Sequence, residues 1–299
     1  MRILLIGPDS TNATDGCIVD GIFWLIRNVY TDHQVRYIML DDHKPQAFDK
    51  LENYDKIVVC GTPWLWDQFQ KSHKYLNLLS LFKRYENTPK IFMGAGSCIT
   101  LDAINDSTIL KTDEEVKGIQ ALYQNTTVIV RDQAAYKLLR NANVESTLLP
   151  CPAYFCYYGE APKTTKEKNV LVYVDPTKLI SSIDWQSKEK LQNYNDQVLK
   201  FYNDYKPLVV IANDYDREAC LKLGLPEPTL LKTSQDTKNL MRTADNVFSG
   251  RVHCAVPAKV AGANVTLFPF DSRYLVLNDF NNLTDFEPFK HQYINLLKG

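Results

Sequence analysis

The sequence predicts an α/β protein with two Rossmann-like domains, whose parallel sheets face a common cleft. Short apolar, β-branched runs alternate with segments whose apolar residues recur at spacings of three and four, the pattern of buried parallel strands connected by helices. The polar stretch GEAPKTTKEKN interrupts this alternation, which then begins again. A chain of 299 residues with 45% hydrophobic and 23% charged content is long enough for two such domains.

The first half of the chain contains five predicted strands, each followed by a helical segment or a turn. These strands are 2–6, 35–40, 56–60, 90–94 and 127–131, and the helical segments are 16–30, 66–85, 114–125 and 132–142. The second half repeats the series with strands at 169–174, 207–212, 229–232, 245–249 and 264–268 and helices near 186–205, 216–223, 235–243 and 254–262. We therefore expect an N-terminal domain over 1–160, a C-terminal domain over 161–284 and a terminal helix over 285–299.

Charge and cysteine usage exclude several classes of protein. The net charge of −1 comes from 34 basic and 35 acidic residues that are mixed along the chain, which argues against a nucleic acid partner. The N-terminus lacks a signal-peptide core and no apolar run could span a bilayer, so a cytoplasmic location is expected, without an integral membrane segment. Seven scattered cysteines without a C-x-x-C pair indicate reduced thiols rather than disulfides or a metal site.

Nucleotide-binding fingerprints are missing. The chain contains neither G-x-G-x-x-G nor G-x-x-x-x-G-K-[ST], and the stretch GAGS at 94–97 is a weak signal that more often marks a tight turn than a phosphate cradle. Ligand chemistry is then expected in the loops that follow the strands, at the carboxyl ends of the two sheets.

The most informative loop is SGRVHC at 249–254. If the strand ends near Gly250 and a helix begins around Cys254, Arg251 and His253 lie in the connecting loop and face the same way, while Val252 packs inward. Arginine can clamp a carboxylate or phosphate, the helix start favours an anion, and histidine can transfer a proton. The alternative is a capping arginine and a hydrogen-bonded core histidine.

At this point the residues resemble those of the polysaccharide pyruvyl transferase family. SGRVHCAVPAKVAGANVTLFPFDSR resembles that family's R-[LV]-H motif and following helix, and VIVRDQAAYKLLRNANVESTLLPCPAYF is similar to its R-[DE] segment that ends in P-D-P. ILLIGPDSTNATDG resembles the N-x-G-D loop after the first strand. The resemblance runs through the whole chain in order, and the first two segments are the specific ones.

The resemblance implies a GT-B-like fold and transfer of pyruvyl from phosphoenolpyruvate to two hydroxyls of a sugar, which makes a ketal and needs no metal or redox cofactor. The N-terminal domain would hold the sugar or glycan acceptor and the C-terminal domain the donor. His253 would be the acid/base, and Arg251 and Arg131 would bind the donor's anionic groups, with Arg273 as a third anion contact. Arg131 could instead pair with Asp132 or start the helix.

Two further contacts concern the acceptor. Asp15, which matches the aspartate of N-x-G-D, would contact the sugar or serve as a helix cap. Trp64 and Trp66 could form a stacking platform for a pyranose, and we expect one to lie in the core and the other in the cleft. The chain departs from the family pattern at Thr14, at Pro63 in the third-strand loop and at Cys151, where the family has aspartate, which puts acceptor binding in question.

Two other functions remain open on the sequence. A GT-B glycosyltransferase that uses a nucleotide sugar would need an acidic residue for the ribose, and Asp175, Asp214 or Asp216 could supply it. An inactive carbohydrate-binding or assembly protein would keep the core and have a blocked cleft. The acceptor sugar does not follow from the sequence, which is also compatible with a homo-oligomer.

Overall fold

The computed structural model describes most of the chain, with six gaps of two or more residues and one single-residue gap. The described residues are 1–8, 13–39, 53–67, 69–105, 112–158, 168–178, 188–282 and 285–299. They form two parallel sheets with helices on both faces, which is the predicted α/β class. The domain boundary predicted between 160 and 161, and the start of the helix predicted from 186, lie outside the described residues.

The first sheet has seven strands in the order β2-β1-β3-β5-β6-β7, with β4 paired to β5. The strands are β1 Arg2–Gly7, β2 Gln34–Met39, β3 Lys56–Cys60, β4 Pro63–Leu65, β5 Lys90–Ser97, β6 Thr126–Val130 and β7 Thr147–Leu148. The helices that accompany them are α1 Gly16–Val29, α2 His73–Arg84, α3 Asp113–Tyr123 and α4 Gln133–Asn141. The short strands β4 and β7 were not predicted, because two or three residues are too few to show a pattern.

Strand β1 shows why the sheet is covered on both faces. Leu4 and Ile6 pack into the core that α2, α3 and α4 cover, whereas Ile3 and Leu5 pack into the core on the opposite face, beside α1. Alternate side chains of a strand point to opposite faces, so a continuous apolar run requires an apolar cover on each side.

The second sheet has five strands in the order β10-β9-β8-β11-β12. The strands are β8 Lys168–Tyr173, β9 Leu208–Ile211, β10 Thr229–Leu230, β11 Ala244–Ser249 and β12 Asn264–Leu267, and the helices are α5 Lys188–Tyr205, α6 Arg217–Lys222, α7 Ser234–Arg242 and α8 Val252–Val260. All pairs are parallel.

The end of the chain returns to the first sheet. After a short helix, α9 Leu275–Asn278, the terminal helix α10 Glu287–Lys298 packs against α1. The buried Tyr293 hydroxyl donates a hydrogen bond of 2.8 Å to the carbonyl of Pro150, which ties α10 to the segment after β7. None of the helices in the described part of the chain is long and apolar enough to cross a membrane.

The helix that carries His253 begins earlier than predicted. Arg251 is the residue before α8, and His253 is its second residue rather than a loop residue. Val252 is half-buried; it packs against the apolar core beside α1, as predicted, and also lines the cavity described below. Pro257 lies in the interior of this helix. This placement buries His253 against the first domain, so its side chain and that of Arg251 have different partners.

Candidate active site

A cavity of about 310 Å³ lies where the carboxyl ends of the two sheets meet. Both domains line it, with Asp15, Trp66 and Arg131 on one side and Arg251 and His253 on the other. The segments that follow parallel strands converge at this edge, which is where α/β proteins bind ligands.

His253 crosses from the second domain to the first. Its Nδ1 lies 2.5 Å from Oδ1 of Asp15, and its Nε2 lies 3.0 Å from Nη1 of Arg131. Burial alone would lower the pKa of His253, but the hydrogen bonds to Asp15 and Cys151 and the charge of Asp15 raise it above its ordinary value. Burial likewise acts to raise the pKa of Asp15, and the hydrogen bond to His253 outweighs it, so that carboxyl has a lowered pKa.

This geometry fixes the roles of the two imidazole nitrogens. The ionised carboxylate of Asp15 accepts a hydrogen bond, so Nδ1 carries a proton. Nε2 is therefore the atom that gains or loses a proton, and in the neutral ring it accepts a hydrogen bond from Arg131. Asp15 was predicted as a sugar contact or a helix cap. It precedes α1 without making a side-chain cap bond, and it contacts His253 instead.

Arg131 is completely buried, and much of its hydrogen-bonding capacity is unused. Its Nη1 donates a hydrogen bond of 3.2 Å to the carbonyl of Gly61, but within the described residues its Nε and Nη2 have no partner. Asp132 does not pair with it, because that carboxylate accepts bonds from Ser97 and from the backbone of Ala135 at the start of α4. A buried guanidinium with unused donors is costly unless it meets an anion.

The absence of a side chain at Gly96 leaves space for the guanidinium of Arg131. A Cβ at Gly96 would lie 2.4 Å from Nε of Arg131, closer than any real contact allows. The GAGS stretch therefore belongs to β5 and leaves space for an arginine, whereas the sequence left a turn or a phosphate cradle open.

We expect Gly96→Ala to displace Arg131 and to weaken binding of an anionic ligand by about ten- to hundredfold, the value of a charge-assisted hydrogen bond. Isothermal titration of the ligand proposed below measures the change. Circular dichroism and thermal unfolding of the same variant show whether the fold is intact. Unchanged affinity in a folded Gly96→Ala protein would contradict this role of Gly96.

The other two predicted arginines are paired with carboxylates. Nη2 of Arg251 lies 2.8 Å from Oδ2 of the buried Asp216, and its Nε has no partner among the described residues. Arg273 makes a bidentate pair with Asp271, through Nε at 2.8 Å and Nη2 at 2.5 Å. Arg251 thus retains a buried donor for a ligand, while two donors of Arg273 are already engaged.

The two tryptophans occupy different environments. Trp64 is buried in β4, packs edge-on against Phe92 and donates from its indole nitrogen to the carbonyl of Cys60. Trp66 is half-buried and packs against Phe69, and both tryptophans line the cavity. Of the positions that depart from the family pattern, Thr14 is buried and Pro63 begins β4, and both line the cavity.

The sequence did not single out several other residues at this site. Tyr215, which is 51% exposed, lines the cavity and its hydroxyl lies 3.2 Å from Nη2 of Arg251. Lys74 and Lys178 line it from opposite domains. Neither lysine lies in a motif. The only sequence signal was their position, at the start of α2 for Lys74 and after β8 for Lys178.

Polar contacts hold the two domains together beside the cavity. The hydroxyls of Ser97 and Ser272 are 2.7 Å apart, and Ser97 also bonds to Asp132. On the far side of α1, Nζ of Lys238 lies 2.9 Å from Asp20. These contacts join β5 and α1 to segments from the second half of the chain.

A search of the described residues finds no group of three or more His, Cys, Asp or Glu side chains that could hold a metal ion. The side chains that could bind a ligand here include arginines, lysines and aromatic rings. Arginines and lysines bind anions, and aromatic rings stack on flat or cyclic molecules.

Comparisons with known proteins agree with this picture. The family model for polysaccharide pyruvyl transferase matches residues 15–272. The fold is similar to a UDP-GlcNAc 2-epimerase from Methanocaldococcus jannaschii, with a TM-score of 0.56 and 11% identity over 100% of both chains. It is also similar to S. aureus MnaA in a structure with UDP, with a TM-score of 0.52 and 12% identity over 98% of this chain and 90% of that one. A comparison with curated protein sequences finds no significant match. At these identities the solved structures establish the GT-B-like fold alone.

Proposed function

This chain belongs to the polysaccharide pyruvyl transferase family, and from that premise we propose that it transfers pyruvyl from phosphoenolpyruvate to two hydroxyls of a sugar in a glycan. Family membership makes the chain a transferase. The donor and the ketal product belong to our proposal.

One observation carries the proposal. Two buried arginines, Arg131 and Arg251, line one cavity from opposite sides, and each has N–H groups without a partner among the described residues. His253 lies beside Arg131, and its Nε2 is the nitrogen that can gain or lose a proton. Phosphoenolpyruvate carries its carboxylate and its phosphate on the same carbon, so it can satisfy two cationic groups at once. The arginines would orient its enol carbon toward the histidine.

The chemistry follows from this arrangement. Nε2 of protonated His253 gives its proton to the methylene carbon of phosphoenolpyruvate, and the positive charge that develops on the adjacent carbon is attacked by a sugar hydroxyl. The hydroxyl proton returns to Nε2, and the C–O bond to phosphate breaks. A second hydroxyl of the sugar then attacks the same carbon and closes the ketal, and its proton passes to the released phosphate. Arg131 and Arg251 stabilise the departing phosphate and the carboxylate.

The half-buried Trp66 and the exposed Tyr215 provide flat apolar surfaces at the cavity. Sugar rings stack on such surfaces, and we assign the acceptor to them. Asp15 acts through His253 in this proposal, because its Oδ1 is bonded to Nδ1.

Replacement of Asp15 by asparagine tests that role through the pH dependence of turnover. The hydrogen bond and charge of Asp15 raise the pKa of His253, so a rate that needs the protonated ring is full at low pH and lost as pH rises through that raised pKa. Asp15→Asn removes the charge and the carboxylate hydrogen bond that raise this pKa. We therefore expect the falling limb of kcat against pH to move to lower pH. Asp214→Asn, at an exposed carboxylate, is the matched control. An unmoved limb in Asp15→Asn would contradict the assignment.

Nucleotide-sugar transfer has less support from the second domain. The carboxylate of Asp216 accepts from Arg251 and from the backbone of Asp175, and that of Asp175 accepts two bonds from Thr177. Asp214 is paired with Arg217. A ribose would have to displace these partners. The open cavity also argues against an inactive protein with a blocked cleft.

The direct test measures phosphate release from phosphoenolpyruvate with acceptors that contain galactose, mannose or N-acetylmannosamine. We expect release that requires an acceptor and is lost in Arg251→Ala. Absence of release with every acceptor, together with no thermal shift on addition of phosphoenolpyruvate, would overturn the proposal.

A further inference from the structure

The sulfur of Cys151 lies directly behind the two side chains that we assign to the donor. Cys151 precedes a short 3-10 helix, Pro152–Phe155, and has no exposed surface. Its Sγ is 4.0 Å from Nε2 of His253 and 3.9 Å from Nη1 of Arg131. Arg131 and His253 line the cavity and Cys151 does not, so the sulfur is placed to orient these groups rather than to attack a substrate.

The protonated form of His253 needs an acceptor at this position. Its Nδ1–H is committed to Asp15, and its Nε2 lies 3.0 Å from an N–H group of Arg131. When Nε2 also carries a proton, two donors of like charge face each other, which is unfavourable. The sulfur lies within hydrogen-bonding distance of both nitrogens and can accept from both.

The surroundings favour negative charge on this sulfur. Burial raises the pKa of the Cys151 thiol, but the hydrogen bond with His253 and the charge of Arg131 outweigh it, so that its pKa falls below the ordinary value. The other titratable groups beside the pair are Asp15 at the start of α1, which bonds to His253, and Tyr154 in the 3-10 helix and Tyr293 in α10, which lie near the sulfur. The charge of Arg251, before α8, acts on Asp15. Burial raises the pKa of both tyrosines, so they stay neutral and do not compete as anions.

We propose that Cys151 is a positioning residue, whose sulfur accepts hydrogen bonds from Nε2 of His253 and Nη1 of Arg131 and holds the protonated imidazole and the anion-binding guanidinium side by side. The role rests on the proposed function, because the protonated imidazole takes part in catalysis only if His253 transfers a proton to phosphoenolpyruvate. A carboxylate at the same position would supply a permanent charge, whereas a thiol supplies one that depends on pH.

The first test needs no substrate. The imidazole nitrogens of His253 are titrated by ¹⁵N NMR in the wild type and in Cys151→Ala, Cys151→Ser and Cys151→Asp. Cys60→Ala is the matched control, because that thiol is also fully buried and its pKa is raised by burial alone. We expect a lower His253 pKa in Cys151→Ala, a higher one in Cys151→Asp and no change in Cys60→Ala. A His253 pKa that is unchanged in Cys151→Ala would overturn the proposal.

The second test measures turnover of phosphoenolpyruvate in the same variants. We expect kcat to fall about ten- to hundredfold in Cys151→Ala, the effect of a lost hydrogen bond to a charged group, with a smaller change in KM. Cys151→Asp should recover part of the loss, which a purely structural role of the cysteine would not produce. If kcat is unaffected in Cys151→Ala while the wild type is active, the sulfur does not position the acid/base.

The two tests separate this inference from the proposed function. A shifted His253 pKa in a protein that releases no phosphate with any acceptor would overturn the proposed reaction and support the sulfur–imidazole contact. Cys151→Ser keeps the size of the side chain, so it provides the comparison if the aspartate variant does not fold.

Discussion

Arg131→Gln is expected to lower turnover of phosphoenolpyruvate by about 10²- to 10³-fold, the effect of removing one preorganised donor from an anionic transition state. Nε and Nη2 of Arg131, which have no partner in the described part of the chain, are the groups that an anion would satisfy; the carboxylate of Asp132 accepts hydrogen bonds from Ser97 and Ala135 instead. The loss should appear both in kcat/KM and in the thermal shift that phosphoenolpyruvate produces.

The same substitution should leave the folded protein intact. A buried cation with unused donors costs folding free energy, so we expect Arg131→Gln to have an unfolding midpoint equal to or above that of the wild type without ligand. Arg140→Gln, at an exposed arginine in α4, is the matched control and should retain activity. An active Arg131→Gln enzyme with normal affinity for phosphoenolpyruvate would show that the donor binds elsewhere.

His253→Gln is expected to lower kcat by about 10²- to 10⁴-fold, the usual contribution of a general acid/base. Glutamine can still contact Asp15 and Arg131, but it cannot donate a proton to carbon. Binding of phosphoenolpyruvate should therefore persist, and the thermal shift that the donor causes should be nearly that of the wild type.

The contrast between these variants is diagnostic, because Arg131→Gln should lose donor binding and His253→Gln should lose mainly turnover. The smaller His253→Ala leaves space beside Arg131, and added imidazole should restore part of its activity. If His253→Gln turns over at the wild-type rate, His253 is a structural residue, as the alternative interpretation of the sequence holds.

The sequence was sufficient for the architecture because the strands are recognisable from local pattern alone. β1, β3 and β8 are continuous apolar runs, which is the pattern of strands in a sheet that is covered on both faces. The helices between the strands have their apolar residues on one side. The boundaries of α8 were less certain, because an Arg-Val-His sequence with small residues after it is compatible with a loop as well as with a helix.

The contacts of the site could not be predicted in the same way. Asp15 and His253 are 238 positions apart, and their hydrogen bond depends on how one domain sits against the other. The carboxylate partner of Arg251, Asp216, is 35 positions away and also comes from packing, whereas Asp271 lies only two positions before Arg273. The sequence showed that Cys151 replaces an aspartate, but its distance to His253 and Arg131 required the structure.

The central claim is that this cavity converts phosphoenolpyruvate and a sugar into a ketal. The most direct measurement incubates the protein with the acceptor panel and with phosphoenolpyruvate that is labelled with ¹³C at the carbon bearing the phosphate, and follows that carbon by NMR. We predict that its signal moves from the alkene region to the region of a saturated carbon with two oxygen neighbours, only when an acceptor is present and not with Arg131→Gln. An unchanged alkene signal with all acceptors, or release of free pyruvate alone, would contradict the claim.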